Sequence, residues 1–151
     1  MSEENLKDFF RKKKQKSGGD IDWEARKEAW IKAIENLYEK IRKNYLADLI
    51  TEESVTVSEP EKTIVEDYIG QYTVRELALQ VGDERVVFSP KGRNIVGASG
   101  RIDLIGEMGE QTLVVQPDER WGIVATRTPT LKVVPIDEAS LLSALKRVMR
   151  R

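Results

Sequence analysis

Apolar positions along this chain fall into three regimes of different spacing. From Asp22 to about Ile50, Trp23, Trp30, Ile34, Leu37, Ile41 and Tyr45 recur at intervals of three, four and seven. That spacing stacks side chains on one stripe of an α-helix. Neither proline nor glycine interrupts the stretch. Asp20 or Asp22 stands where a side chain accepts from the free first-turn amides, and Glu24 suits the positive end of the helix dipole. Glu28–Lys32 and Glu39–Lys43 add i,i+4 pairs on the polar side. The expectation is one long amphipathic helix over residues 22–50, roughly 40 Å in length.

After Thr51 the period drops to two. Val55–Val57, Thr63–Val65, Tyr72–Val81, Arg85–Phe88, Ile102–Ile105, Thr112–Val115, Trp121–Thr126 and Leu131–Val134 read as strands. Turn signals separate them at Glu59-Pro60, Gly82-Asp83, Pro90-Lys91-Gly92, Gly106 to Gly109 and Pro117-Asp118. Gaps this short suit antiparallel neighbours, because a parallel crossover needs about a dozen residues. A meander of six to eight strands over residues 54–134 is therefore expected. Apolar residues on both faces of the strands around Ile102 and Trp121 suggest a strongly bent sheet with a helix in its concave side.

The chain closes on a second helical pattern over 138–150. Asp137 is its N-cap, with Ile136 and Leu141 placed as a hydrophobic staple. Leu141, Leu142, Leu145, Val148 and Met149 are expected to line one face, and Lys146, Arg147, Arg150 and Arg151 suit the negative helix end. The fold class is α+β: a long N-terminal amphipathic helix, an antiparallel bent meander, and a C-terminal capping helix, forming one domain over 21–151.

Residues 1–20 stand apart. Leu6, Phe9 and Phe10 provide a helical turn or two, followed by the basic cluster Arg11, Lys12, Lys13, Lys14 and Lys16, then Gly18-Gly19. Three apolar side chains do not offset the ordering cost of an isolated short helix, so a mobile basic arm is expected unless something docks it. Charge immediately after Phe10 argues against a secretion signal. Net charge over all 151 residues is −1, which gives no global field favouring nucleic acid or an anionic membrane.

Composition then narrows the chemistry. The chain has no histidine and no cysteine, which excludes imidazole proton shuttles, thiolate nucleophiles and disulfides. Cysteine-free composition fits a reducing compartment, so a cytoplasmic location is the expectation. Gly97-Ala98-Ser99-Gly100-Arg101 has arginine where a nucleophile elbow needs its last glycine, and a strand rather than a helix follows. Ser143 and Lys146 match S-x-x-K without its companion motifs. Phosphate-binding glycine loops and calcium loops are absent from the sequence, so no catalytic residue, cofactor or metal is assigned.

Asp103 is the exception among the carboxylates, because it falls mid-strand between Ile102 and Leu104. With Arg101 and Arg127 it forms a candidate polar site whose plainer role is a cross-strand ion pair. Trp23 and Trp30, with Phe9 and Phe10, are the candidate interaction surface, since tryptophan anchors many interfaces. Three functions follow in order of preference. The first is a non-enzymatic protein-interaction module binding a protein partner or a second copy through the long helix and arm. The second is nucleic-acid or anionic-surface binding through the basic arm. The third is a ligand pocket or carboxylate-based enzyme on the curved sheet. No membrane partner is expected.

Overall fold

The computed structural model describes residues 5–14, 23–67, 69–92, 100–115, 120–126 and 132–150. It is an α+β fold in which antiparallel strands carry the core and helices cover it. The long helix is not N-terminal: α1 (Leu6–Lys14) precedes α2 (Trp23–Lys40). Nor does it run unbroken to Ile50. A π-helical turn over Ile41–Tyr45 is followed by Leu46 and a short α3 (Ala47–Thr51).

The π turn has a clear packing consequence. Its wide ring closes with the Leu46 amide donating to the Ile41 carbonyl at 3.0 Å. One extra residue per turn rotates the following stripe, so the buried residue after Ile41 is Leu46 instead of Tyr45. Tyr38, which the spacing analysis left off the stripe, is also buried.

The strands are β1 (Thr56–Ser58), β2 (Glu61–Glu66), β3 (Gly70–Arg75), β4 (Leu77–Val81), β5 (Glu84–Gly92), β6 (Gly100–Gly106), β7 (Gly109–Val115), β8 (Trp121–Thr126) and β9 (Lys132–Pro135). Seven form an antiparallel sheet in the order β1-β4-β5-β6-β7-β8-β9, and β2 with β3 form a separate hairpin. From β4 onward this is the expected meander. Before β4 it is not, because the β2–β3 hairpin is inserted between two paired strands.

Two expected boundaries move. The single strand expected over Tyr72–Val81 breaks at Glu76, where Arg75 still pairs with Glu61 while Leu77 pairs with Phe88. The turn expected at Pro90-Lys91-Gly92 lies inside β5. Pro90 is tolerated there because the ladder with β4 stops at the Leu77–Phe88 pair, so β4 does not need its missing amide.

One hydrophobic cluster unites α2 and α4 (Glu138–Val148) with the same face of the sheet. Trp30, Ile34, Leu37 and Ile41 pack with Val86, Phe88, Ile102, Leu104 and Leu113, and with Leu141, Ala144 and Val148 of α4. Both helices therefore cover a single face. Burial of side chains this size contributes about 1.5–3 kcal/mol each. Two glycines permit the close contacts. A Cβ on Gly100 would lie 2.4 Å from the Trp30 ring, and one on Gly106 would lie 2.3 Å from the Val148 carbonyl oxygen. The Asp137 carboxylate accepts from the Ser140 amide at 2.8 Å, while the Ser140 hydroxyl accepts from the Asp137 amide at 2.9 Å, closing a capping box at the start of α4.

Candidate interaction site

Trp30 is 3% exposed. Its indole donates to the Tyr72 hydroxyl at 3.0 Å and its ring stands 6.0 Å from that of Trp121. It is a core residue, and the expected pairing of Trp30 with the surface is not what the fold produces. Trp23 is half-buried at the start of α2, with the Arg26 guanidinium 5.5 Å above its ring. Leu6 is 68% exposed, and Phe9 and Phe10 are exposed with their ring centres 6.0 Å apart. The side chains of Arg11, Lys12, Lys13 and Lys14 lie outside the described residues, as does Lys16.

The polar site is only partly assembled. Arg101 Nε donates to Asp103 Oδ1 at 2.8 Å and Nη2 to Oδ2 at 3.1 Å, a two-pronged contact between neighbours on one face of β6. The pair is within a strand, not across strands. Asp103 is buried, and its carboxylate holds the Arg101 charge, raising that guanidinium's pKa. Arg127 and Ser99 lie outside the described residues.

Opposite Asp103 in register is Ser89, whose hydroxyl accepts from Lys62 Nζ at 2.9 Å. Burial, reinforced by nearby Lys91, pushes the Lys62 pKa down. A hydroxyl beside an amine with a lowered pKa is the chemistry of a serine–lysine pair. Ser89 is 3% exposed, however, so an acyl substrate does not reach its oxygen. The cluster reads as a buried polar tie between β2, β5 and β6. Ser143 and Lys146 sit exposed on α4 without a hydrogen bond to each other.

The feature that spacing analysis missed lies at the far end of the molecule. An open apolar groove of about 1350 Å³ runs between α3, the β4–β5 hairpin and the last two turns of α4. Leu46, Val55, Leu79 and Val86 form its buried floor. Leu49, Val81, Met108 and Leu142 rise from its walls, with Met108 63% and Leu142 50% exposed. The α4 pattern thus splits into two adjacent stripes. Leu141, Ala144 and Val148 face the core, while Leu142, Leu145 and Met149 line the groove.

One arginine pins this wall. The Arg150 guanidinium reaches Asp83 at 2.8 Å and Glu107 at 2.7 Å, and its backbone amide donates to Glu84 at 2.5 Å. Asp83, then Glu107 and Glu84, hold that guanidinium charged and raise its pKa. The Met108 amide donates to the Val148 carbonyl at 2.8 Å. The end of α4 is therefore tied to two hairpin turns, and Met108 is held at the groove edge. A partial signal for this was present in the sequence: a methionine in a tight turn between glycines has no core to enter.

The chain matches no family model, and no curated protein or solved structure is significantly similar to it. Among the described residues, no helix is long and apolar enough to cross a membrane.

Proposed function

We propose that this chain is a non-enzymatic protein-interaction module, an adaptor, inhibitor or accessory subunit, that binds through the apolar groove together with the arm. The observation that carries this reading is the convergence of Leu49, Val81, Met108 and Leu142 on one groove. Scattered exposed apolar residues need no explanation, whereas a contiguous apolar patch marks an interaction surface. The reading includes a strong bend of the sheet around α2. Support for the bend comes from α2 side chains that reach several strands: Tyr38 to the Phe88 carbonyl, Trp30 to Gly100 and Trp121.

Affinity capture from the source cell tests the proposal, using the wild type beside Leu142→Asp and Met108→Asp. Both side chains are half or more exposed, so melting temperatures should stay within about 2 °C. Proteins held by the wild type and lost on both variants are expected. An identical captured set on all three baits would count against the groove.

A second reading is nucleic-acid or anionic-surface binding by the arm. It is supported by the helical backbone over Leu6–Lys14, which carries four consecutive basic residues. Deleting residues 1–17 should then abolish binding to duplex DNA or RNA, and wild-type affinity should fall steeply from about 50 to 200 mM salt. Salt-independent behaviour would remove this reading.

A further inference from the structure

We infer that the groove takes up the apolar face of an acidic amphipathic helix from a partner protein, with the carboxylates of that helix along its edge nearest α4; this rests on the groove being an interaction surface. The shape of the groove supports a helix, and its charges support an acidic one.

The floor is an uncovered end of the core. Leu46, Val55, Leu79 and Val86 line the groove, are buried, and belong to the central hydrophobic cluster. A recessed floor is reached by projecting side chains, which a flat lipid surface does not supply. Helices α2 and α4 already pack on this cluster, and α3 and α4 wall the groove. A further helix therefore continues an existing layer. The volume of about 1350 Å³ exceeds the roughly 300–1,000 Å³ typical of a small-molecule pocket. An opening along one side suits an occupant that buries a single face. Grooves lined by leucine, valine and methionine take apolar anchors spaced at i, i+4 and i+7 on such a helix. The walls are also held before anything binds. Arg150 bridges Asp83 and Glu107, and the Met108 amide donates to the Val148 carbonyl at 2.8 Å. A groove already in place loses little freedom on binding.

Charge then selects among helices. The ionisable residues of the lining are all cations: Lys146, Arg147 and Arg150. Arg150 is neutralised by Asp83 and Glu107. Lys146 and Arg147 are exposed, and among the described residues neither forms a salt bridge with a carboxylate. Asp48, Glu52 and Glu53 lie outside the lining, on α3 and the turn after it. Carboxylates on the occupant are therefore drawn to the α4 wall and repelled on the α3 side. That asymmetry confines them to one edge of the apolar stripe and sets the orientation of the helix.

Selection on the immobilised chain from a displayed library of random peptides, each about 16 residues or some four helical turns long, tests this. Enriched peptides should carry apolar residues at i, i+4 and i+7, with Asp or Glu beside them on one edge. The most enriched peptide is then synthesised with a fluorescein label and titrated by anisotropy. Leu142→Asp should weaken its binding by at least about thirtyfold. Lys146→Gln with Arg147→Gln should weaken it about fivefold or more. Lys146→Glu with Arg147→Glu should reject the acidic peptide yet bind its Glu→Lys counterpart more tightly than the wild type does, a gain that a misfolded variant does not give. Enrichment of basic or uncharged peptides, no enrichment, or equal wild-type affinity for the acidic peptide and its lysine counterpart would overturn the inference. So would phosphatidylglycerol vesicles that bind the wild type and displace the peptide. If the selected peptides are not acidic but Leu142→Asp still rejects them, only this inference fails. If Leu142→Asp binds every selected peptide as the wild type does, the groove reading fails with it.

Discussion

Tyr38 shows how one polar atom joins α2 to two strands. Its hydroxyl donates toward the Arg75 carbonyl at 2.9 Å and lies 3.3 Å from that of Phe88. Burial, with Glu76 and Glu59 adding to it, raises the phenol pKa well above its ordinary 10.0. A raised pKa in the folded state means stability present in full below pH 10 and lost as pH climbs beyond it, because the unfolded chain ionises first. Tyr38→Phe should cost about 1–2 kcal/mol at neutral pH through the carbonyls it leaves unpaired. The gap from wild type should narrow above about pH 10, read from urea unfolding along a pH series. Asp103 makes the complementary case. Asp103→Asn should destabilise by about 2 kcal/mol, because Arg101 loses its two-pronged partner at a buried position. A carboxylate kept for catalysis would instead give a neutral or stabilised variant in the same urea titration. At this scale the mid-strand position of Asp103 was legible as an ion pair. Its partner geometry was not, since spacing alone does not distinguish a neighbour on the same strand from one across the ladder.

Elements were legible where periodicity is long and local. Helix α4 is the clearest instance, because its cap, staple and first core residue all lie within six positions of each other. Asp137→Ala should remove the side-chain half of the capping box and cost about 1 kcal/mol. In a domain of this size that lowers the melting temperature by roughly 2–4 °C, measurable by calorimetry. Asp137→Asn should keep most of the cap and move it little. The break between β3 and β4 was also written in the pattern, though easily passed over. Inward positions are even at Tyr72 and Val74, then odd at Leu77 and Leu79. A strand that keeps its pleat does not change parity, so the slip at Glu76 marks a switch of sheet. The π turn left no comparable trace. Ile41 to Tyr45 is a sound helical interval, and only tertiary packing decides that Leu46 enters the core in its place. Leu142 was misplaced for a related reason: a broad apolar arc on α4 does not announce that two partners share it.

Connectivity and surface belong to the whole molecule, and there local pattern stops informing. Nothing near Thr56–Ser58 indicates that β1 skips a hairpin to pair with β4, because that pairing depends on where β5 and α2 already lie. The groove has the same origin. It draws on residues from Leu46 to Arg150 that meet only after β4–β5, the β6–β7 turn and α4 have docked.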